Sequence, residues 1–153
     1  MAGLKGQLDN LEGYSRRNNI RINGISGSIN EKWSDCENKV RDFIKNYLNL
    51  PEKENVEIER AHRVKSRDPT KCTIVVKLTK YKDRECIIDR AKTQIPRDSN
   101  ISVKPDYTDR VVRHRREFGH RMLEERQQNN YTAISYDKLI VNDQLYKYDD
   151  VNL

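Results

Sequence analysis

The sequence predicts an α+β protein in which a β-α-β-β-α-β module lies between a short leucine-spaced helix and a smaller mixed C-terminal segment. Three observations support this. Apolar residues alternate with polar ones in several short runs, they recur at helical spacing between those runs, and proline or glycine separates the runs. Of 153 residues, 35% are hydrophobic and 35% are charged, so the cores must be modest.

Charge and cysteine content narrow the functional class. The chain has 30 Lys+Arg against 24 Asp+Glu, which gives a net charge of +6 and favours a polyanionic partner. Cys36, Cys72 and Cys86 lack the spacing of a zinc site or disulfide framework, so we expect buried free thiols in a reducing compartment. No apolar run approaches the ~18 residues that span a bilayer, and no signal-peptide pattern begins the chain. We therefore expect a soluble intracellular protein without a membrane partner.

The N-terminal segment has the leucine spacing of a coiled coil. Leu4, Leu8 and Leu11 step by four and then three, and the next seam position is Ser15. We expect residues 1–17 to be the end of a longer coiled coil. A surface helix packed on its own domain is the alternative.

The central module begins with the run Asn19 to Ile25, in which Ile20 and Ile22 are expected to enter a core, Arg21 to face outward and Gly24 to end the strand. The following helix has Ser34 as its expected N-cap. Its expected core stripe consists of Trp33, Cys36, Val40, Phe43, Ile44, Tyr47 and Leu48. Further strands are expected at Val56 to Val64, Cys72 to Thr79 and Ile101 to Val103, and a second helix at Tyr81 to Lys92.

This element order is the split βαβ, or ferredoxin-like, order of RNA-recognition (RRM) domains, expected here over residues 18–104. Such domains stack bases on aromatic residues of the first and third strands, but this chain has Arg21, Thr73 and Val75 at those positions. Each missing base–aromatic stacking interaction reduces the favourable binding free energy by about 1–3 kcal/mol. We therefore expect binding through phosphate, with weak sequence preference and strong salt dependence.

The C-terminal segment, residues 105–153, supplies a cluster of cations. A helix is expected from Asp106 to Gln128, with Arg113, Arg115 and Arg116 as phosphate ligands. Arg110 and Arg121 are expected to form a solvated face instead. The helix is followed by expected strands at Ala133 to Tyr136, Lys138 to Val141 and Gln144 to Tyr148, with a hairpin turn at Asn142-Asp143. The neighbouring Tyr136, Tyr146 and Tyr148 could stack on bases or cover the small sheet.

Several motifs in a fixed order carry a family resemblance. LEGYSRRNNIRINGI begins at Leu11, and IERAHRV, TIVVKLTKYKDRE, RHRREFG and ISYDKLIV follow. Together they resemble the first open-reading-frame protein of LINE-1-type retrotransposons. The resemblance implies the end of a trimeric coiled coil, an atypical RRM domain and a small α+β C-terminal domain, which we expect to be incomplete. It also implies a nucleic-acid chaperone that coats single-stranded RNA, and single-stranded DNA, in a retrotransposon ribonucleoprotein.

The same resemblance implies the binding residues. The paired arginines of the C-terminal helix match Arg115 and Arg116, and the tyrosine of the SY motif matches Tyr136. The remaining matches lie at the junction and in the recognition domain: Arg16, Arg17, Arg21, Arg63, Lys65 and Arg67. We expect RNA in a basic cleft between the recognition domain and the C-terminal helix.

Two other functional classes fit the sequence less well. Catalysis needs converging carboxylates or a nucleophile with its base, but the acids here are scattered, so we expect no enzyme, no catalytic residue, no metal and no cofactor. A coiled-coil scaffold of host-domesticated origin, without chaperone activity, is the alternative to RNA binding. We expect cytoplasmic ribonucleoprotein particles, with the nucleus as a second location.

Overall fold

The computed structural model describes residues 2–50, 56–65, 67 and 73–151. The helices are α1 (Ala2–Ser15), α2 (Trp33–Asp42), α3 (Tyr81–Gln94), α4 (Asp109–Gln127) and α5 (Tyr148–Val151), and a π-helical turn, Phe43–Tyr47, extends α2. The strands are β1 (Asn19–Asn23), β2 (Ile58–Arg63), β3 (Ile74–Leu78), β4 (Ser102–Pro105), β5 (Thr132–Ser135), β6 (Lys138–Val141) and β7 (Gln144–Tyr146). Cys72 lies outside the described residues.

The chain divides into two compact units. We call residues 14–106 the recognition unit, and residues 2–13 with 107–151 the terminal unit. The domain limits expected after residues 17 and 104 stay predictions.

In the recognition unit, four described strands form one antiparallel sheet in the order β2-β3-β1-β4. The element order β-α-β-β-α-β is the one that the sequence predicts, and it is compatible with an RNA-recognition-like domain. The final strand begins at Ser102 rather than Ile101 and includes Pro105, which pairs with Ile20.

The core of this unit lies between one sheet face and the two helices. Ile20 and Ile22 are fully buried, as their alternation predicts, and they pack with residues of α2, α3 and β3. Three expectations for this helical segment are wrong. Tyr47, expected in the core stripe, is 39% exposed, although its ring stacks on Phe43. Trp33 is 71% exposed because it stands at the first helical position, outside the buried stripe. The N-cap is Lys32 rather than Ser34, and the Asp35 carboxylate accepts from the Lys32 backbone N–H at 3.1 Å.

Strand β1 ends where only glycine fits. Gly24 has a φ of +98°, and a Cβ at this position would lie 2.5 Å from the carbonyl oxygen of Asn100. L-residues rarely adopt this φ, and the backbone of Asn100 leaves no room for a side chain. The expected end of the first strand at this glycine is therefore confirmed.

Strand β2 contains a β-bulge between Ile58 and Arg60, so Glu59 is an extra residue against β3. A strict alternation would bury residue 60 after Ile58. The bulge reverses the alternation: Ala61 is buried, whereas Arg60 and His62 are exposed. One extra residue thus delivers two basic side chains to the open face of the sheet.

In the terminal unit, α4 packs against β5 and β6, and Val111, Phe118 and Leu139 are buried. Helix α4 begins at Asp109, three residues after Asp106, the start that the sequence predicts. Thr108 is the N-cap, and its hydroxyl oxygen accepts from the Val111 N–H at 3.4 Å.

The small sheet of the terminal unit has the order β5-β6-β7 among its described strands. The predicted hairpin turn is confirmed, since Asn142 and Asp143 both have positive φ, as a type I′ turn requires. The strand limits differ from those expected: Tyr136 lies in the β5–β6 turn at a φ of 53°, and β7 ends at Tyr146. Tyr148 begins α5 instead of ending a strand.

The leucines of α1 do not enter a core of this chain. Leu4, Leu8 and Leu11 are each about two-thirds exposed, at 65%, 66% and 67%. The predicted helix is confirmed. As the alternative expects, it is a surface helix joined to its own unit, through Asp9 and Arg110, although its leucines are largely exposed. The coiled coil itself stays a prediction.

Candidate nucleic-acid interface

Cations from all four strands meet on the open face of the recognition unit's sheet. Residues that are directly opposite in antiparallel strands point to the same face. The pairing places Lys104 opposite Arg21, Arg21 opposite Val75, and Val75 opposite His62. These residues form one row across the sheet. The next row contains Asn19, Lys77 and Arg60.

The two rows border a concave site with a volume of about 340 Å³. We call it the sheet-face site. It is an open, mainly polar surface, with Val75 as its buried apolar floor. Its lining consists of Ser15, Arg16, Asn19, Arg21, Arg60, His62, Val75, Lys77 and Asp106. The structure thus brings the predicted residues Arg16 and Arg21 together, and it adds three basic side chains to them.

The positions where aromatic rings would stack bases have other roles here. Arg21 extends over the open face, and its Nη1 donates to the Asp106 carboxylate at 3.3 Å. The Thr73 hydroxyl donates to the Asn23 side-chain oxygen. Val75 is only 8% exposed. None of these three positions therefore offers an aromatic ring for stacking, and the charged groups of the face can act on phosphate.

Arg63 has a structural environment that the sequence does not predict. Its Nε and Nη2 donate to both carboxylate oxygens of Glu31, at 2.8 and 3.2 Å, and its Nη1 donates to the Ile25 carbonyl at 2.6 Å. The Arg63 side chain is 13% exposed. Hydrogen bonding by Arg63, joined by that of Lys39, holds the pKa of Glu31 below its usual value. These contacts favour a structural role for Arg63, which we leave out of the proposed contact set.

The other predicted cations of the recognition unit are accessible. Lys65 and Arg67 are exposed after β2. Arg17 is exposed as well, and its guanidinium carbon lies 4.4 Å from the centre of the Tyr14 ring. RNA binding by these three residues stays a prediction.

In the terminal unit, Arg115 and Tyr136 are in direct contact. Nη1 of Arg115 donates to the Tyr136 carbonyl at 2.9 Å, and its guanidinium lies over the Tyr107 ring at 4.7 Å. Tyr107 in turn meets the Tyr136 ring edge-on. Arg113 and Arg116 are exposed on the same helix. Arg115 therefore fixes the β5–β6 turn, while its two neighbours offer accessible charge.

Arg110 was expected to be solvated, and that expectation is wrong. Its Nε donates to Asp9 of α1 at 2.7 Å, and its Nη2 donates to Asp137 at 3.2 Å. Burial alone would raise the pKa of Asp9, but hydrogen bonds from Thr108 and Arg110 hold it below the ordinary value. The network ties α1 to α4 and to the β5–β6 turn.

The expected tyrosine cluster is divided between two places. Tyr136 packs on Tyr107, whereas the Tyr148 ring stacks on His114 with centroids 4.1 Å apart. Burial, followed by the nearby positive charge of Arg110 and Arg113, lowers the pKa of His114. Burial raises the pKa of Tyr136, so its hydroxyl stays neutral at physiological pH. The Tyr136 ring is 46% exposed and accessible to a base.

Three polar residues of these sites were missed by sequence reasoning. Lys77 is expected on a strand and Lys104 directly after one, but no pattern shows that strand pairing would bring them beside Arg21. The sequence predicts Asp106 as the start of a helix. Its position directly after β4, with Pro105 paired to Ile20, places it next to the end of β1.

Cysteine and metal chemistry have little support in the described residues. Cys36 is a buried free thiol whose pKa is raised by burial, and Cys86 is a half-buried free thiol. Across the ranges that the structure describes, no group of three or more His, Cys, Asp or Glu could hold a metal ion. Nor does any described helix combine the length and apolar character that crossing a membrane would need.

The antiparallel sheet with its two helices, and a cationic face in place of stacking rings, define a domain of the RNA-recognition-like class. Residues 17–106 match a family described as the L1 transposable element RBD-like domain. The chain therefore belongs to this family, the RNA-binding family of LINE-1 first open-reading-frame proteins. Family membership supports RNA binding in a LINE-1 retrotransposon context.

Proposed function

We propose that this chain binds single-stranded RNA, and single-stranded DNA, mainly through the phosphate backbone, and that it acts as a nucleic-acid chaperone in a retrotransposon ribonucleoprotein. The observation that carries the proposal is the sheet-face site. Cations of β1, β2, β3 and β4 converge where RNA-recognition domains usually present rings. Backbone binding of this kind is insensitive to sequence and is strongly weakened by salt.

The proposed contacts come from both units. In the recognition unit they are Arg16, Arg17, Arg21, Lys65 and Arg67, extended by Arg60, His62 and Lys77 of the sheet-face site and by Lys104, which lies opposite Arg21. In the terminal unit they are Arg113, Arg115, Arg116 and Tyr136, of which Tyr136 would stack at most one base. Weak contacts to many phosphates allow strands to exchange, and exchange favours the most stable pairing.

The first experiment is a titration of labelled single-stranded RNA, single-stranded DNA and duplex over a range of salt concentrations. For single strands, the slope of log K against log salt is about 0.7 per neutralised phosphate. Arg21→Ala with Arg60→Ala should weaken binding about tenfold and make the slope shallower by roughly 1.4, if each arginine neutralises one phosphate. Strand-annealing rates of complementary oligonucleotides then test the chaperone step.

A matched control removes two cations from elsewhere in the same unit. Lys92 lies on α3, which packs on the opposite side of the sheet, and Arg97 is exposed in the turn that follows. Lys92→Ala with Arg97→Ala lowers the net charge equally and should leave the affinity within about twofold of the wild type. Equal losses of affinity in both double variants would mean that overall charge, rather than the sheet-face site, accounts for the binding.

A second candidate is an assembly function, which the exposed leucines of α1 favour. Leu4, Leu8 and Leu11 present an apolar stripe that no other part of the described chain covers. We propose that this stripe associates with copies of the same helix, as a trimer in the full-length protein. Mass in solution, measured with and without RNA, separates the two candidates: a pure scaffold assembles without retaining RNA.

We propose no catalytic activity for this chain. A metal-dependent cleavage assay on single-stranded and double-stranded DNA tests that proposal, and product formation would overturn it. We also propose residence in cytoplasmic ribonucleoprotein particles, with the nucleus as the alternative. Imaging of the tagged protein would decide between these locations.

A further inference from the structure

A single carboxylate, that of Asp106, joins the basic residues at one side of the sheet-face site. Its Oδ1 accepts from Nη1 of Arg16 at 3.4 Å and from Nη1 of Arg21 at 3.3 Å. Its Oδ2 accepts from Nδ2 of Asn19 at 3.0 Å. The acid is covered, with a side chain only 5% exposed, whereas the two arginine side chains are 28% and 37% exposed.

The fold explains why this acid is placed here. Asp106 directly follows Pro105, and the antiparallel pairing of β4 with β1 sets Pro105 opposite Ile20. The next residue along β4 therefore lies beside the start of β1. Arg21 points to the open face, and Arg16 lies just before β1, so both guanidinium groups can reach one carboxylate.

We propose that Asp106 is a positioning residue for nucleic-acid binding, which holds the guanidinium groups of Arg16 and Arg21 ready for a phosphate in the sheet-face site. The inference rests on the proposed nucleic-acid binding by that site. A guanidinium carries five N–H donors, so an arginine can bond a carboxylate through one group and a phosphate through another.

Preorganisation is the physical basis of this role. A free arginine side chain samples many rotamers, and ordering it when a ligand binds weakens the affinity. Asp106 orders two such side chains before the nucleic acid arrives. Because the carboxylate is covered and already accepts three hydrogen bonds, it repels an incoming phosphate less than an exposed acid would.

Charge alone predicts the opposite effect of a mutation. Removing an acid from a basic site raises the local positive charge, which should strengthen phosphate binding and steepen its salt dependence. Positioning predicts that removal of the acid weakens binding and makes the salt dependence shallower. The direction of change therefore separates the two roles.

The experiment measures binding of a labelled single-stranded oligouridine over a range of salt concentrations. Asp106→Asn should bind about tenfold more weakly than the wild type, because two arginines must then be ordered on binding. Its salt slope should be shallower by about 0.7 for each phosphate contact that is lost. Asp83→Asn is the control, since Asp83 is a similarly buried acid on α3.

Two further variants isolate geometry from charge and from folding. Asp106→Glu keeps the charge but displaces the guanidinium groups, so it too should bind more weakly than the wild type. In a background with Arg16→Ala and Arg21→Ala, Asp106→Asn should cause no further loss, because the residues through which it acts are gone. Thermal melting confirms that each variant is folded at the assay temperature.

The outcomes are distinct. If Asp106→Asn and Asp106→Glu both bind as tightly as the wild type or more tightly, with an unchanged or steeper salt slope, the positioning role is overturned. A further loss in the double-alanine background also overturns it. If Arg16→Ala with Arg21→Ala binds like the wild type, the proposed sheet-face binding itself fails, whatever the Asp106 variants do.

Discussion

Arg60 and Arg63 lie on one strand, and the structure gives them opposite roles. Arg60 is exposed on the sheet-face site, whereas Arg63 forms a bidentate ion pair with Glu31. The chain thus offers a matched pair of arginine-to-alanine substitutions. We expect Arg60→Ala to weaken RNA binding without a change in stability, and Arg63→Ala to destabilise the recognition unit.

The size of the Arg63 effect follows from its contacts. Removing one partner of a buried ion pair costs about 3–5 kcal/mol. Here Lys39 still donates to Glu31 at 2.6 Å, so the remaining carboxylate keeps one cation. We therefore expect a smaller loss, of about 2 kcal/mol, part of it from the carbonyls that Arg63 no longer satisfies. For a unit of this size, that loss lowers the melting temperature by roughly 8–16 °C.

The assay pairs thermal unfolding, followed by circular dichroism, with RNA titration at a temperature where both variants are folded. Arg60→Ala should melt within about 2 °C of the wild type and bind RNA about threefold more weakly, as expected for one exposed phosphate contact. Arg63→Ala should melt earlier and, once folded, bind nearly as well as the wild type. The reasoning is refuted if Arg63→Ala keeps the wild-type melting temperature yet loses RNA affinity.

Three further predictions concern other parts of the chain. Gly24→Ala should lower the free energy of unfolding by about 3 kcal/mol in urea denaturation, because its Cβ would meet the Asn100 carbonyl at a strained φ; a loss below about 1 kcal/mol would contradict this. The folded-state pKa of His114 is lowered, so the unfolded chain takes up a proton first as the pH falls below 6.5. Stability from this residue is present above pH 6.5 and decreases as the pH falls through the folded-state pKa; melting curves of His114→Gln should lack this component, and an identical pH profile would disprove it. Arg116→Ala should weaken RNA binding about threefold with no change in melting temperature. Arg115→Ala should lower both the RNA affinity and the melting temperature, since it also loses the hydrogen bond to the Tyr136 carbonyl. Matching melting curves for the two variants would argue against the distinction.

Local patterns predicted the elements well, because strand and helix periodicities are properties of short segments. Ile20 and Ile22 are buried as their alternation indicates, and the Asn142-Asp143 turn forms because both residues accept positive φ. The predicted burial of Trp33 is wrong for a local reason as well. Helical spacing determines the direction of a side chain around the helix axis, but not whether the end of the helix reaches the core.

The site was less predictable, because its charges act in pairs that come from distant parts of the chain. From the sequence, Arg63 and Arg110 are expected to be cations available to solvent or phosphate. Each has a carboxylate partner that is remote in sequence, Glu31 for Arg63 and Asp9 for Arg110. Asp106 was missed for the same reason, since only the pairing of β4 with β1 places it among the arginines. Charge patterns along a chain show how many cations there are, but not which of them are already neutralised.

The bulge at Glu59 has a consequence for comparing this chain with its relatives. Without Glu59, the pairing of Ile58 with Leu78 would continue directly to Arg60 with Lys77 and Ala61 with Val76, so Ala61 would stay buried and Arg60 and His62 would stay on the open face. A relative that lacks this residue can therefore present basic side chains at the positions of Arg60 and His62 from a regular strand without a bulge. Alignments of this family should place a gap at residue 59 before conservation of either face is judged.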